Sequence, residues 1–393
     1  MGPHRAHALT RPDSDDLPGR GPAGRPRRSD AQRREVLDMQ KLTVGIVGGG
    51  FMGRVHSHAA RAAGAEVVGV TSSSPERSAA AAAELGTAAV DDVAALVEQV
   101  DVVHVCSPNA AHAGHVRTAL EAGRHVVCEK PLALDAAEAE DLAARAVDAG
   151  VVAAVPFIYR FHPMARQAAA HVAAGELGRL LTVRGSYLQD WMLDPEAGNW
   201  RVDPQAAGRS RAFGDVGSHL ADLLEFLSGD RIVRLAAATT IAHPRRGGVE
   251  VTTEDAAALT VQLRSGAVGS LMVSQVDAGR KNALTLELAG TETSVVFDQE
   301  HPDELWIGGV EASRTVTRDA AALADDAARL NLVPAGHPMG YLDAFAAFAR
   351  DVYAAVGGEA PHGLPGFADG ARANAVIDAV VSSAEHGGWV DLD

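Results

Sequence analysis

Gly48, Gly50 and Gly53 form a G-x-G-x-x-G pattern directly after the apolar run LTVGIV and directly before a helical stretch. In that setting the glycines suit a dinucleotide. The first permits a tight turn, the second lets backbone amides approach a pyrophosphate, and the third lets helix and strand pack closely, with the helix N-terminus facing the anion. A purely structural glycine turn is the plain alternative. Phe51 and Met52 fall inside the turn and join the expected cofactor site. About 20 residues on, an acidic side chain would read the ribose 2′-hydroxyl of NAD, whereas an arginine would accommodate the 2′-phosphate of NADP. The sequence there is VGVTSSSPER, so Ser72 and Ser73 stand where the acid would be, and Arg54 and Arg77 are the arginines within reach. NAD is the expected cofactor, with NADP open. The competing reading is that Ser72 and Ser73 only cap the helix after Pro75.

A second set of residues has the types needed for acid–base work. Lys130, in GRHVVCEKPLAL, stands just past a buried strand, where open α/β sheets bind ligands, and Pro131 disfavours helical geometry there and permits a cis bond. Taken alone, Glu129 and Lys130 are equally well a solvated loop pair. In SRAFGDVGSHLADLLEFLSG, Asp215 and His219 share a helix face if the helix begins near Asp215. An N-cap and a partly buried helix histidine are the structural alternative. Ahead of them, QDWMLDPEAGNWRVD offers Gln189, Trp191, Asn199, Trp200, Arg201 and Asp203. Aromatic faces with hydrogen-bonding groups suit a sugar or cyclitol ring, although a surface loop is the bland reading for any one of them. His56, His58, His112 and His115 lack a partnering carboxylate or thiol cluster, so no metal is expected.

The elements that must position these groups divide the chain in three. Residues 1–38 are rich in Arg, Asp, Pro and Gly and nearly free of large apolar side chains, which predicts a disordered tail, and Met39 offers an alternative start. From 39 to 161, apolar runs (LTVGIV, AEVVGVT, AAV, DVVHVC, RHVVCE, GVVAAVPF) alternate with alanine-rich helical stretches, predicting a Rossmann-type parallel sheet. Asp91, Asp101 and Asp135 sit near element starts, and Gly64, Gly86, Gly123 and Gly150 near element ends. From 162 to 393, long β-branched runs with turns at Ser265-Gly266 and Gly290-Thr291 predict an α+β half. Its sheet should be large, open and mainly antiparallel, and the closing helices are free to pack back on the first half. The fold class is therefore α/β with an α+β second domain. An open sheet leaves a face for a subunit partner, so a homodimer or homotetramer is expected.

Composition excludes other classes. A formal charge of −16 repels nucleic acid, no apolar stretch approaches a bilayer span, and two cysteines in buried runs suggest a reducing cytoplasm rather than a disulfide framework.

GGGFMG, EKP and DVGSH in this order, with SPNAAH (107–112), YRFHP (159–163) and the closing FADGARANAVIDAVVSSAEHGGWV, resemble the glucose-fructose oxidoreductase / inositol dehydrogenase / MocA (Gfo/Idh/MocA) family from Lys41 to Asp393. NWR and SRAFGDVGSH further resemble its branch of sugar 3-dehydrogenases, which includes levoglucosan dehydrogenase. The resemblance implies that Lys130, Asp215 and His219 are catalytic. It also implies that Ser107, Pro108, Asn109, His112 and Glu129 join the cofactor site with Lys130, and that Arg160 and His337 join the substrate site. The implied reaction is hydride transfer between a secondary hydroxyl of a sugar, anhydrosugar or cyclitol and a nicotinamide. In it His219, at an ordinary pKa of about 6.5, or Lys130 takes the proton, the Lys130 ammonium stabilises the developing alkoxide, and Asp215 orients the pair. Ser72 departs from the acid common in NAD-using members. Two other readings compete: a redox-neutral NAD-dependent glycosidase or lyase, and a non-catalytic sugar or dinucleotide sensor.

Overall fold

The computed structural model describes residues 41–196 and 198–393; the tail expected over 1–38 lies outside them. Six strands, β1 (Thr43–Val47), β2 (Glu66–Thr71), β3 (Ala88–Ala89), β4 (Val102–Val105), β5 (His125–Cys128) and β6 (Ala153–Ala154), form a parallel sheet in the order β3-β2-β1-β4-β5-β6. Every β4 side chain is buried, as befits a strand covered on both faces. The order reverses between β1 and β4, so the loops after these two strands diverge and leave a crevice at their C-terminal ends. The helices crossing between strands are α1 (Phe51–Ala62), α2 (Pro75–Leu85), α3 (Val93–Val97), α4 (Asn109–Glu121) and α5 (Ala136–Ala149).

Capping follows the expected chemistry with shifts of one residue. Ser74, not Ser72 or Ser73, caps α2 by accepting from Arg77 N, because the cap must directly precede the helix that Pro75 opens. Asp92 rather than Asp91 caps α3, and Asp135 caps α5 as expected. Asp101 caps no helix; its carboxylate accepts from Thr43 N and Oγ1, both at 2.8 Å, and ties β4 to the start of β1. The apolar run at 150–157 gives only the two-residue β6, since Val155 N turns to donate to Pro365 O.

After α6 (Pro163–Ala173) comes a nine-stranded sheet. Its members are β7 (Leu180–Leu188), β8 (Ile232–Thr240), β11 (Ala256–Leu263), β12 (Val268–Ser274), β13 (Ala283–Gly290), β14 (Thr293–Asp298), β15 (Glu304–Gly309), β16 (Ser313–Thr317) and β17 (Val390–Asp391). The short pair β9 (Arg245–Arg246) and β10 (Val249–Glu250) stands apart. All neighbours in the large sheet are antiparallel except β7 with β12. Alternate residues such as Leu284, Leu286 and Leu288 point inward, joining one core with Leu220, Leu223 and Leu224 of α7 (Ser218–Ser228). Each such buried leucine contributes about 1.5–3 kcal/mol. The two predicted hairpin turns join β11 to β12 and β13 to β14.

The last helices, α8 (Tyr341–Val356) and α9 (Phe367–His386), return to the first sheet. α8 packs on α1, while α9 packs on α5, where Asn374 Nδ2 donates to Ala133 O and Asp378 accepts from Ala136 N. This clamps the segment that follows β5 and carries Lys130. No helix among the described residues is long and apolar enough to cross a membrane.

Candidate active site

The glycine loop has the geometry a dinucleotide needs. Gly48 adopts φ +105°, and a Cβ there would strike Cys106 O at 2.6 Å; a Cβ on Gly53 would strike Gly48 O at 2.1 Å. A Cβ on Gly50 would meet nothing within 4 Å, so this position faces the open crevice, and no side chain caps the first amides of α1. Those free N–H groups and the absent Cβ fit a pyrophosphate. The crevice continues into a cavity of about 1160 Å³. That exceeds the roughly 300–1,000 Å³ of a usual small-molecule pocket and leaves room for a dinucleotide with a second ligand.

The expected cofactor residues line this cavity: Gly48, Gly50, Phe51, Met52, Ser72, Ser73, Arg77, Ser107, Pro108, Asn109, His112, Glu129 and Lys130. Gly53 is not on its wall but packs beneath the turn. At the β2 end, Arg77 Nη1 donates to Ser73 Oγ at 3.1 Å, whereas Arg54 is drawn to Glu84 and does not line the cavity. His112 is buried with both ring nitrogens on carbonyl oxygens, Nδ1 on Pro131 O at 2.9 Å and Nε2 on Ser107 O at 2.8 Å. It joins the loops after β4 and β5 and leaves no ring nitrogen for a ligand. Asn109 Nδ2 donates to Ala207 O, drawing the loop of the second half onto the first.

Lys130, Asp215 and His219 meet at the other end. The Lys130–Pro131 bond is cis, and Lys130 Nζ donates to Asp215 Oδ1 at 2.7 Å and to Asp215 O at 2.8 Å. Asp215 does not open a regular helix; it sits in a π turn, Phe213–Gly217, that leads into α7. The turn is anchored by the buried Glu254 carboxylate, which accepts from Ser210 Oγ, Arg211 N and Phe213 N. Gly217 is required because a Cβ would enter the Phe213 ring at 2.3 Å. Burial raises the Asp215 carboxyl, but the Lys130 ammonium and Arg201 outweigh it and hold the group well below the usual carboxylate range.

His219 departs from its ordinary value. Burial and the Lys130 charge push it down to about 3, against the opposing pull of Glu129 and Asp215. It is therefore a neutral imidazole. Its Nδ1 is buried without a hydrogen-bond partner against the edge-on rings of Tyr159 and Phe157, leaving Nε2 as the nitrogen available to the cavity.

The facing wall is polar and aromatic. Asn282 Oδ1 accepts from Tyr187 OH at 2.7 Å and from Gln189 Nε2 at 2.8 Å, and Trp191 Nε1 donates to Gln189 Oε1 at 2.7 Å. Tyr159 and Tyr187 bond through their hydroxyls. Arg201 lies over Trp200 and Trp191 and reaches Asp215 Oδ2 at 3.5 Å, while Gln275 Nε2 donates to the same oxygen at 2.9 Å. Asn199 also lines the cavity; Asp203 does not, and caps Pro204–Ala207 instead.

Two expected substrate residues are elsewhere. Arg160 is buried and spends its guanidinium on Asp222, with Nη2 also donating to Asp369 at 2.9 Å, which ties α7 to α9. His337 is exposed on a loop outside the cavity, its Nδ1 on Pro334 O. Conversely, Tyr187 on β7, Gln275 just after β12, Asn282 just before β13 and Tyr341 at the start of α8 carry no local signature in the sequence. Among the described residues no group of three or more His, Cys, Asp or Glu is disposed to hold a metal.

Comparison with known proteins agrees with this geometry. Residues 42–157 match the GFO/IDH/MocA oxidoreductase family, NAD-binding Rossmann fold, and residues 165–296 match the GFO/IDH/MocA C-terminal domain. Levoglucosan dehydrogenase of Pseudarthrobacter phenanthrenivorans is 34% identical over 391 residues, covering 90% of this chain and 99% of that protein. A levoglucosan dehydrogenase solved with NADH and L-sorbose superposes with a TM-score of 0.84 at 33% identity, covering 90% of this chain and 100% of that one. An inositol dehydrogenase homologue from Azotobacter vinelandii, solved with NAD+, gives 0.82 at 30% identity, covering 90% and 98%.

Proposed function

Because the chain belongs to the Gfo/Idh/MocA oxidoreductase family and is an NAD(P)-dependent sugar or cyclitol dehydrogenase, we propose that it oxidises a secondary ring hydroxyl of a sugar, anhydrosugar or cyclitol, at carbon 3 in a pyranose. The observation that carries this reading is the convergence of Lys130, Asp215 and His219 in the cavity that the glycine loop opens, opposite a wall of tyrosine, tryptophan, asparagine and arginine. Such a wall offers ring faces to C–H groups and hydrogen bonds to hydroxyls. The levoglucosan and inositol relatives support the same substrate class.

NAD(P), when bound, supplies the hydride acceptor. The hydroxyl proton passes to neutral His219 Nε2, a role worth roughly 10²- to 10⁴-fold in rate. Lys130 has two of its ammonium N–H groups on Asp215, and the third is left to donate to the substrate oxygen and stabilise alkoxide character. Asp215 fixes that ammonium and supplies the countercharge that helps His219 accept its proton.

We assign the cofactor half to residues 39–161 and the substrate half to 162–393; the division falls between the two family matches. A homodimer or homotetramer is part of the proposal, supported by Leu181, Val268, Met272 and Trp306 on exposed positions of the large sheet. A single monomer mass in light scattering at micromolar concentration would overturn it. A cytoplasmic setting is supported by Cys106 and Cys128, both free thiols.

The deciding experiment offers NAD or NADP with inositols, hexoses, anhydrosugars and glycosides, and follows reduced cofactor by absorbance. NADH or NADPH formed in step with one polyol group supports the reading. Conversion of a glycoside with cofactor retained and none reduced overturns it in favour of redox-neutral elimination.

A further inference from the structure

The EKP glutamate, Glu129, sits at the end of a run of buried polar groups that the reaction above does not use. His56 of α1 has Nε2 on Glu129 Oε1 at 2.9 Å and Nδ1 facing His104 Nδ1 at 3.0 Å. His104, in the middle of the parallel sheet, has its Nε2 on Tyr353 OH at 3.1 Å. His56 and His104 are each 1% exposed, and Tyr353 comes from α8, in the second half of the chain. The other Glu129 oxygen, Oε2, accepts from Lys130 N.

We propose that His56, His104 and Tyr353 are positioning residues that hold Glu129 as a carboxylate at the Lys130–His219 end of the cavity. An ionised carboxylate only accepts, so His56 donates from Nε2. With one proton on each imidazole the other links follow: His56 Nδ1 is bare, so His104 donates from Nδ1, and its bare Nε2 accepts a hydrogen bond from the Tyr353 hydroxyl. Each junction has one donor and one acceptor. A proton on Glu129 has no place in this chain, because Oε1 faces the His56 N–H and Oε2 faces the Lys130 N–H. A buried polar chain satisfied at every link is rigid, and one satisfied in part is costly, so the arrangement holds as a unit.

The charge fixed in this way bears on the reaction. The titratable groups facing Glu129 are His56 and Lys130, His219 across the cavity, His112 from α4, Tyr341 from α8, and the Cys106 and Cys128 thiols. Burial raises the Glu129 carboxyl, and the hydrogen bond from His56, with the Lys130 charge, brings it below its ordinary value. With Asp215, Glu129 is one of two anions that oppose burial and Lys130 at His219, and so sustain the basicity of that imidazole.

The inference rests on the dehydrogenase reading for its kinetic test but not for its structural one. In ¹⁵N-histidine-labelled protein without ligand, long-range ¹H–¹⁵N spectra should show His56 protonated at Nε2 and His104 at Nδ1 near neutral pH, with assignments from His56→Gln and His104→Asn. The opposite tautomers, or an imidazolium at either, would overturn the chain whatever the protein catalyses. In kinetics, His56→Phe removes the donor to Glu129. Burial then raises the Glu129 carboxyl with that bond no longer opposing it, so kcat/KM for polyol oxidation should gain a fall on the acid side that the parent lacks. His56→Gln, whose amide N–H reaches the same oxygen, should remove that fall, as should Glu129→Gln placed on His56→Phe. A uniform loss at every pH in His56→Phe would mean a structural role alone and overturn the proposal. The predicted tautomers in a protein that turns over no polyol would sustain the chain and overturn the assigned reaction.

Discussion

Lys130 grips Asp215 at two points, Nζ donating to the carboxylate at 2.7 Å and to the same residue's backbone carbonyl at 2.8 Å. The double contact fixes the ammonium in position before substrate arrives, which is what electrostatic stabilisation of a developing charge requires. Lys130→Met should therefore lower kcat for polyol oxidation by about 10²–10³-fold or more, while NADH binding, followed by fluorescence, changes little. Turnover within threefold of the parent would remove Lys130 from the chemistry.

The pH dependence follows from His219. In the proposed reaction oxidation needs the neutral imidazole, and its pKa, held at about 3 by burial and Lys130, keeps it neutral far below the ordinary histidine range. The rate of oxidation should show no acid limb from His219 between about pH 5 and 8, where an unperturbed histidine of pKa about 6.5 would give one. Measured kcat/KM for oxidation across that range is the check, and a limb near 6.5 that disappears in His219→Asn would contradict the assignment.

Arg77 is the proposed determinant of cofactor choice. The residues that directly follow β2, Ser72 to Ser74, carry no carboxylate; Asp91 and Asp92 line the cavity nearby, and Arg77 rests on Ser73 at its edge. Hydrogen bonds to charged groups are worth about 1.5–3 kcal/mol. Arg77→Ala should thus weaken NADP by about 10- to 100-fold and NAD much less, as read from the two dissociation constants. An equal effect on both would show that Arg77 does not discriminate at the 2′ position.

The motifs that could be read from the chain were those whose chemistry is local. Gly48, Gly50 and Gly53 act within one turn, EKP follows one strand, and Asp215 and His219 are four residues apart in one helical segment. What escaped depends on long-range pairing. Asn282 lines the cavity and the buried Gln275 donates to Asp215, both from neighbouring regions of the large sheet, and nothing in NALTLEL or VSQV marks them. His56 gave no sign of Glu129, 73 residues on. The same holds for Arg160: an arginine in YRFHP looks available until α7 and α9 bring Asp222 and Asp369 to it. The one-residue slips at Ser74 and Asp92 are the usual uncertainty of a cap among several candidate serines and aspartates.

On the substrate side, Arg201 is held between Trp191 and Trp200 and touches Asp215. It links the tryptophan loop to the Asp215 carboxylate. Arg201→Ala should raise KM for the polyol by roughly tenfold, as loss of one charged hydrogen bond and a stacking surface implies, with a smaller fall in kcat. A fall confined to kcat would instead assign Arg201 to the chemistry.

His162 gives a stability prediction that is independent of catalysis. It precedes α6, stacks on Tyr159 with ring centroids 5.9 Å apart, and has Nε2 buried without a partner. Burial pushes it down to about 4, despite Asp303 and Asp343 nearby. The folded-state value lies below the unfolded value of about 6.5, so the unfolded chain binds the extra proton first as the pH falls. Stability from this group is complete above about pH 6.5 and is lost progressively down to about pH 4, by an amount on the order of 3 kcal/mol. His162→Phe keeps a flat ring on Tyr159 and removes the titration. Urea midpoints taken near pH 7.5 and near pH 5 should fall less in this variant than in the parent. His219 titrates in the same sense in both proteins, so the difference between them isolates His162. A parallel fall in the two proteins would place the acid sensitivity elsewhere in the core.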